Sequence, residues 1–360
     1  MKHGRLLRYL LLGLFLLSLP LLFNPLNADE AQLVQIRKGD TISYLGFKIY
    51  GMYDPRMAEL LRQENPSLKD IDFIYPGQQV RFPKPVAMRK WLREETSKPG
   101  PEAFQERRHP KEEPPKEEIL PGMQVRANKG VVTFLEGQVQ SKKGGDPKWS
   151  PARPNQILYE KDQVRVLAQS RAELILDSQS VLRLSENTLL TLQKLEEETV
   201  SRKETTRMDL SLGKLWTRAA KLFNPASRLE VRTPTAIAGV QGTIYQVSVI
   251  DERSTNIQVF EGAVQVYNPF PPAKAPAGGR VVPRGEPQEV TGPQEVPGPT
   301  AVSREEWTRI VLRQFQQITV TDRDISRPTA FDMNQERRSE WVRWNEERDL
   351  DFQPPEKPRS

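Results

Sequence analysis

Histidine and cysteine, the side chains that most often serve as nucleophile partners or metal ligands in hydrolytic enzymes, are nearly absent from this chain. The 360 residues include two histidines and no cysteine. His3 lies in an apolar N-terminal segment, and His109 lies in a proline-rich stretch. The sequence therefore excludes Ser-His and Cys-His nucleophiles, histidine-based zinc sites and disulfides. We expect no metal and no cofactor.

Carboxylates are the remaining route to catalysis, because a glycosidase needs only two acidic side chains. Asp177, Glu186 and Glu261 all fall where the sequence predicts turns, and solvation is enough to explain acidic residues there. We therefore predict that the protein is not an enzyme. A carboxylate-dependent cell-wall hydrolase is kept as an alternative.

Residues 33–84 have the pattern of a small binding module. A short alternating strand breaks at Gly39, and Asp40 or Thr41 can cap the helix that follows. Gly51 ends that helix, a second helix stops at Asn65, and a turn then leads into a closing strand. The predicted order is strand, helix, helix, strand (βααβ).

At these positions the sequence resembles the LysM family of glycan-binding modules. The matching motifs are Gly39-Asp40-Thr41-Ile42, Tyr50-Gly51, Asn65-Pro66 and Ile74-Tyr75-Pro76-Gly77-Gln78. The resemblance implies binding of polymers that contain N-acetylglucosamine, in bacteria usually peptidoglycan. The implied groove is lined by Gly39, Asp40, Thr41, Ile42, Asn65, Ile74 and Pro76. The alternative is a purely architectural module, because its glycines and prolines also serve the turns.

Composition indicates several domains with much of the chain outside any core. Apolar residues make up 37% of the sequence, there are 31 prolines, and mean hydropathy is −0.62. The net charge of +6 suits an anionic envelope polymer. Acidic residues are interspersed with the basic ones, so no nucleic-acid-binding stripe is predicted.

The first 28 residues have the pattern of an export signal. Lys2, Arg5 and Arg8 precede a leucine-rich run, and a cleavage site is predicted after Ala28. An uncleaved anchor is the alternative, because the run is near the lower limit for crossing a bilayer. We expect an exported protein of the periplasm or cell envelope, anchored in the inner membrane if this segment is retained.

Residues 85–122 are rich in proline and charge, which predicts an extended, disordered tether with a short helix near Trp91. A β-rich domain is predicted over residues 124–268. Its clearest signal is three leucine pairs spaced eight residues apart, which indicates stacked strands in a meander or a solenoid-like coil. The pairs are Leu174 and Leu176, Leu182 and Leu184, and Leu190 and Leu192. The charged run 195–207 is predicted to be an exposed excursion.

The β-rich region resembles the FecR family of periplasmic domains. The match includes Trp149, residues 158–166, 172–192, 212–215 and 231–243, and the segment 259–264. Gly239, Gly242 and Gly262 are predicted to be structural glycines where strands turn corners. The best-known members of the family are transmembrane sensors that pass a signal to a sigma factor. This chain departs from them, because only Met1 to about Arg5 precede the apolar segment.

The C-terminal part begins with a second linker, residues 269–303, which is rich in proline and glycine. Residues 304–360 are predicted to form an amphipathic helix and a charged tail. The apolar positions of the helix are Trp307, Ile310, Val311, Phe315 and Ile318. Trp341 and Trp344 indicate a further helical stripe, which either docks on the β domain or binds a partner.

The whole sequence thus predicts a non-catalytic envelope protein. It would bind peptidoglycan through residues 33–84 and present the β domain, on its tether, to an envelope protein partner. The alternative from a different functional class is an envelope sensor or regulator that acts through the β domain.

Overall fold

The structure is a computed structural model, and it describes residues 32–97, 125–221, 224–240, 242–268 and 309–355. The predicted export signal, the second linker and Trp307 lie outside these residues. So does most of the first linker.

The N-terminal module has the predicted order of strand, helix, helix, strand. Its elements are β1 (Gln32–Gln35), α1 (Ile42–Tyr50), α2 (Met57–Glu64) and β2 (Gln79–Phe82), with β1 and β2 antiparallel. Thr41, not Asp40, caps α1 by accepting a hydrogen bond from the Tyr44 amide at 3.1 Å. Gly51 ends α1 at a φ of 73°, and its amide bonds to the Phe47 carbonyl.

The first linker begins with a helix, α3 (Pro85–Ser97), which includes the short helix predicted near Trp91. Met88 and Leu92 are buried in the core of the N-terminal module, and Trp91 packs against it. The apolar side chains of this segment recur at helical spacing, so they cover one face of the module despite the charges between them. The helix predicted near Trp91 is therefore confirmed, and it extends over residues 85–97.

The remainder is a large β domain. Its strands are β3 (Val125–Ala127), β4 (Gly130–Glu136), β5 (Val139–Lys142), β6 (Ser150–Pro151), β7 (Ile157–Leu158), β8 (Gln163–Val166), β9 (Arg171–Leu176), β10 (Val181–Leu184), β11 (Thr188–Glu198), β12 (Lys203–Arg218), β13 (Arg228–Arg232), β14 (Ile237–Val240), β15 (Ile244–Asp251), β16 (Ser254–Glu261), β17 (Ala263–Tyr267), β18 (Arg309–Arg313), β19 (Gln316–Thr321) and β20 (Thr329–Ala330). Two short helices follow, α4 (Met333–Glu336) and α5 (Glu340–Asp351).

The strands form two sheets that share the long strand β12 and enclose one apolar core. The first sheet has the order β6-β5-β8-β11-β12-β13-β14-β17-β18, with β3 added beside the end of β11. The second has the order β7-β4-β9-β10-β12-β15-β16-β19-β20. A single meander would keep the chain in one sheet, whereas here it passes repeatedly between two.

The leucine pairs predicted to face one core do so. All six side chains belong to the core between the sheets, on β9, β10 and β11. Gln179 and Asn187, with φ of 67° and 55°, lie in the two turns that separate the pairs. The eight-residue interval therefore corresponds to one short strand plus one tight turn, as predicted.

Two sequence predictions in the β domain are wrong. Residues 195–207 are not an excursion, because they continue β11 and β12 as a hairpin, with Leu195 buried in the core. The predicted amphipathic helix over residues 309–321 is instead the strand pair β18 and β19. Alternate side chains at Leu312, Ile318 and Val320 are buried, and this period of two overrides the helical spacing. The β domain thus extends beyond residue 268.

The three glycines predicted to turn corners differ in conformation. Gly242 has a φ of 60° and Gly262 a φ of 84°, the left-handed region that side chains rarely adopt. Gly239 lies inside β14 with ordinary strand geometry, and a β-carbon there would meet nothing closer than 3.9 Å. The predicted corner at Gly239 is therefore wrong, and the corner lies at Gly242.

We expect Gly242→Ala to lower the free energy of unfolding by about 1–3 kcal/mol, the usual cost of a left-handed backbone on a residue other than glycine. Gly239→Ala is the matched control and should leave stability unchanged or slightly raised, because glycine weakens a strand interior. The measurement is denaturant unfolding of both full-length variants. Equal stability of the two would contradict a conformational role for Gly242.

Candidate functional site

The residues predicted to line a glycan groove are divided between the module's core and its surface. Ile42 is buried in the core, and Ile74 packs against it half-buried. Asn65 is a structural bridge, since its amide nitrogen donates to the Leu61 and Arg81 carbonyls and its oxygen accepts from the Arg81 amide. Pro76 is exposed. The side chain of Asn65 thus links α2 to β2.

The β1–α1 loop, which carries Gly39, Asp40 and Thr41, forms one wall of the predicted groove. Gly39 has a φ of 88°, and Asp40 accepts the Arg37 amide proton at 2.8 Å. Burial raises the pKa of the Asp40 carboxyl, while the Arg37 amide partly opposes this shift. The opposite wall was predicted at Asn65, Ile74 and Pro76, and Asp72 lies between the first two of these in the chain.

The side chain of Asn155 lies between these walls. It comes from the turn between β6 and β7 of the β domain, where its φ of 62° projects it outward. Its carboxamide oxygen accepts from the Ser43 amide at 2.7 Å. Its nitrogen donates to the Ile71 carbonyl at 3.2 Å and to the Asp72 carboxylate at 2.7 Å. One side chain of the β domain therefore joins the start of α1, next to Thr41 and Ile42, to the segment that precedes Ile74.

Strand β4 closes the same region from the side. The Thr41 hydroxyl donates to the Thr133 carbonyl at 2.8 Å, and the Ser43 hydroxyl donates to the Val132 carbonyl at 3.3 Å. Both hydroxyl-bearing residues are buried. A β-carbon added at Gly39 would come within 2.9 Å of the Phe134 ring. The absence of a side chain at Gly39 thus admits the β domain to this wall.

The module and the β domain also share an apolar core. Val131, Ile175 and Val181 point away from the core between the sheets and belong to the same buried cluster as Tyr44 and Phe47 of α1. The prediction that a tether separates two independent domains is therefore wrong for these contacts.

Helix α5 lies over the junction and brings arginine to a buried carboxylate. Arg348 binds Glu173 of β9 through two hydrogen bonds, at 2.9 and 2.6 Å. Its guanidinium lies 4.6 Å from the ring centroid of Tyr44 and 4.8 Å from that of Phe134. Of the two functions considered for the tryptophan-bearing tail, the structure shows docking onto the β domain.

Glu173 is fully buried and has all its acceptor positions filled. Besides Arg348, it accepts from the Arg183 guanidinium at 2.6 Å and from the Thr133 hydroxyl at 2.9 Å. Arg183, also fully buried, donates to Asp349 of α5 at 2.7 Å. Asp349 in turn accepts from the Trp216 indole at 3.0 Å. Two arginines and two carboxylates thus form a neutral buried network.

The network shifts the pKa values of its carboxyls in opposite directions. Burial opposes ionisation of Glu173, but Arg348 and Arg183 outweigh it and lower its pKa to about 2. Burial dominates at Asp349 and raises its pKa, despite the hydrogen bonds from Arg183 and Trp216. The two arginines thus favour the ionised form of Glu173 more strongly than that of Asp349.

The end of the tail reaches the N-terminal module directly. Asp351 accepts from the Tyr44 hydroxyl at 2.8 Å and from the Lys48 ammonium at 2.7 Å. Phe352 is fully buried, with its ring centroid 5.8 Å from that of Tyr44. The tail therefore contacts both folded parts.

Sequence reasoning did not identify Glu173, Arg183, Asn155 or α5 as parts of one site. One signal was present: Leu174, Ile175 and Leu176 are consecutive apolar residues, where a strand with one solvent-exposed face would alternate. Such a run indicates that something covers the outer face of the strand. The sequence does not say what that cover is.

Among the described residues, no cluster of three or more histidine, cysteine or acidic side chains could hold a metal ion. Asp177 accepts from the Lys129 amide and Glu186 from the Gln169 amide, which gives both carboxylates a structural use. No helix in the described ranges has the length and apolar content needed to cross a membrane.

Residues 162–265 match the model of the FecR protein family. This segment runs from the start of β8 into β17 and does not include the N-terminal module or the tail. No curated protein matches the chain.

Two solved structures resemble part of the chain. Both are of a provisionally assigned anti-sigma factor from Parabacteroides distasonis, at 2.50 and 1.65 Å resolution. Their sequences are 13% and 15% identical, and their TM-scores are 0.32 and 0.33. The matches cover 49% and 50% of this chain and 62% and 64% of the other chains. The chain thus spans less than two thirds of the length of either one.

Proposed function

We propose that this protein is a non-catalytic regulator of the cell envelope that acts through protein contacts of its FecR-type β domain. The observation that carries the proposal is the family match over residues 162–265. As the resemblance implies, domains of this family belong to envelope sensors. The buried junction supports a regulatory role over a passive anchor, because the β domain contacts the module instead of hanging from a tether.

The first sheet offers a place for a protein partner. Strand β18 is the last strand of this sheet, and the pairing found for it among the described residues is with β17. Val311 on this strand is half-exposed, and Phe315 is exposed at the adjacent turn. Free backbone groups at a sheet edge can accept an additional strand from another protein.

Crosslinking in intact cells tests this role. A photo-crosslinking amino acid at Val311 should give a discrete protein adduct. The same residue at Val200, which is 81% exposed at the tip of the β11–β12 hairpin, serves as the control. Adducts at neither position, or the same diffuse products at both, would contradict a partner at this edge.

Peptidoglycan binding by the N-terminal module is the second candidate. It is supported by the βααβ order with paired outer strands and by the two loops that face each other across Asn155. The net charge of +6 favours association with an anionic polymer.

The full-length chain should therefore co-sediment with purified peptidoglycan sacculi, and an Asp40→Ala, Ile74→Ala double variant should bind more weakly. Circular dichroism would verify that the double variant is folded. Equal sedimentation of a folded double variant would show that these loops do not form the glycan site.

A further inference from the structure

We propose that the β domain closes the glycan-binding groove of the N-terminal module, so that binding peptidoglycan and keeping the two parts together are mutually exclusive. This inference rests on the second candidate function, glycan binding by the module. It adds that the chain supplies its own competitor for the groove.

The occupant of the groove has the chemistry of the expected ligand. A carboxamide presents a carbonyl acceptor and N–H donors, and the acetamido group of an N-acetylated sugar presents a carbonyl acceptor and an N–H donor. Asn155 uses its acceptor on the Ser43 amide and its donors on Ile71 and Asp72. Ser43 follows the lining residue Ile42, and Asp72 precedes the lining residue Ile74, so these contacts join the chain segments that carry the two walls. A glycan strand seated between the walls would have to displace this side chain.

The strand behind Asn155 must move as well. The Thr41 and Ser43 hydroxyls donate to carbonyls of β4, and the Phe134 ring lies directly over Gly39. These contacts leave no room for a sugar between the β1–α1 loop and β4. The module must therefore separate from β4 before a polymer can enter.

Opening would change the β domain too. Val131, Ile175 and Val181 are buried only against the module and the tail, because they face away from the core between the sheets. Separation would expose them as one apolar patch beside Glu173. Large exposed apolar patches mark protein-binding surfaces. Glycan binding at one part would thus uncover a binding surface on the other.

The test compares two substitutions at asparagines with left-handed backbone. Asn155→Gly tolerates the φ of 62° and removes every contact of the carboxamide. Asn187→Gly is the matched control, because Asn187 has a φ of 55° in an exposed turn away from the module. From the loss of several buried hydrogen bonds we expect Asn155→Gly to bind sacculi about tenfold more tightly than wild type. Asn187→Gly should bind like wild type.

A reversible lock gives the opposite test. The chain has no cysteine, so Asp72→Cys with Asn155→Cys introduces a single pair, at side chains that are 2.7 Å apart in the native contact. Joined by a short bifunctional thiol reagent, this variant should bind sacculi more weakly than the same variant before treatment. Asp72→Cys alone, treated with the same reagent, controls for modification of that wall.

The outcomes separate the two ideas. Equal binding by wild type, Asn155→Gly and the locked chain would overturn groove closure while leaving glycan binding intact. Absence of binding by every form, including Asn155→Gly, would overturn glycan binding by the module and groove closure with it.

Discussion

Replacing Glu173 by glutamine should cost about 3–5 kcal/mol of unfolding free energy, the usual penalty for removing one member of a buried ion network. Glu173 and Arg183 are fully buried, and the side chain of Arg348 is 14% exposed. Glutamine keeps the shape of the side chain but removes its charge. Arg183 would retain Asp349, whereas Arg348 would lose its carboxylate partner. Denaturant unfolding of the full chain measures the loss.

Glu136→Gln is the control for this experiment. Glu136 pairs with Arg171 at an exposed position, where loss of a salt bridge costs about 0–1 kcal/mol. If both glutamine variants were equally stable, the buried network would contribute nothing to holding the tail.

The stability difference between wild type and Glu173→Gln should depend on pH. The pKa of Glu173 is lowered from 4.5 to about 2 in the folded state, so its ionised form stabilises folding. That stabilisation is complete above pH 4.5 and is lost as the pH falls toward 2. The stability difference between wild type and Glu173→Gln should therefore narrow over this interval. A difference that stayed constant with pH would contradict the lowered pKa.

Local patterns in the sequence predicted most of the elements. The leucine pairs at an eight-residue interval correctly predicted β9 to β11, because strand alternation and turn length are short-range properties. The same reasoning failed at residues 309–321. Leu312 and Ile318 pack in the core between two sheets, whose strands come largely from residues far away in the chain. Tertiary pairing overrode the helical spacing there.

The contacts between the module and the β domain could not be predicted from the sequence, for a related reason. Gly39 and Thr41 were assigned to a glycan groove from their motif, but the residues next to them in the structure are Phe134 and Thr133 of the β domain. Contacts of this kind join residues about ninety or more positions apart and leave no periodic trace. Composition also misled, since proline and charge in residues 85–122 indicated separation where α3 and the shared core bring the two parts together.

The docked tail makes the module and the β domain dependent on each other for stability. We expect Phe352→Ala to lower the unfolding free energy by about 3–5 kcal/mol, as truncation of a buried phenylalanine usually does. Phe352 is fully buried. Its ring packs against Tyr44 of α1, in the cluster that also holds Val131 and Ile175. Its loss should therefore reach α1 as well as the β domain.

Amide hydrogen exchange resolves where the loss falls. In Phe352→Ala, protection of amides from exchange should drop both in α1, around Phe47, and along β4, around Val132. Leu350→Ala is the control, because Leu350 lies two residues away and is 77% exposed, and exposed substitutions usually change stability by less than about 0.5 kcal/mol. If Phe352→Ala lowered protection in the β domain alone and left α1 unchanged, the module would be stable by itself. The tail would then cover β9 without stabilising the N-terminal module.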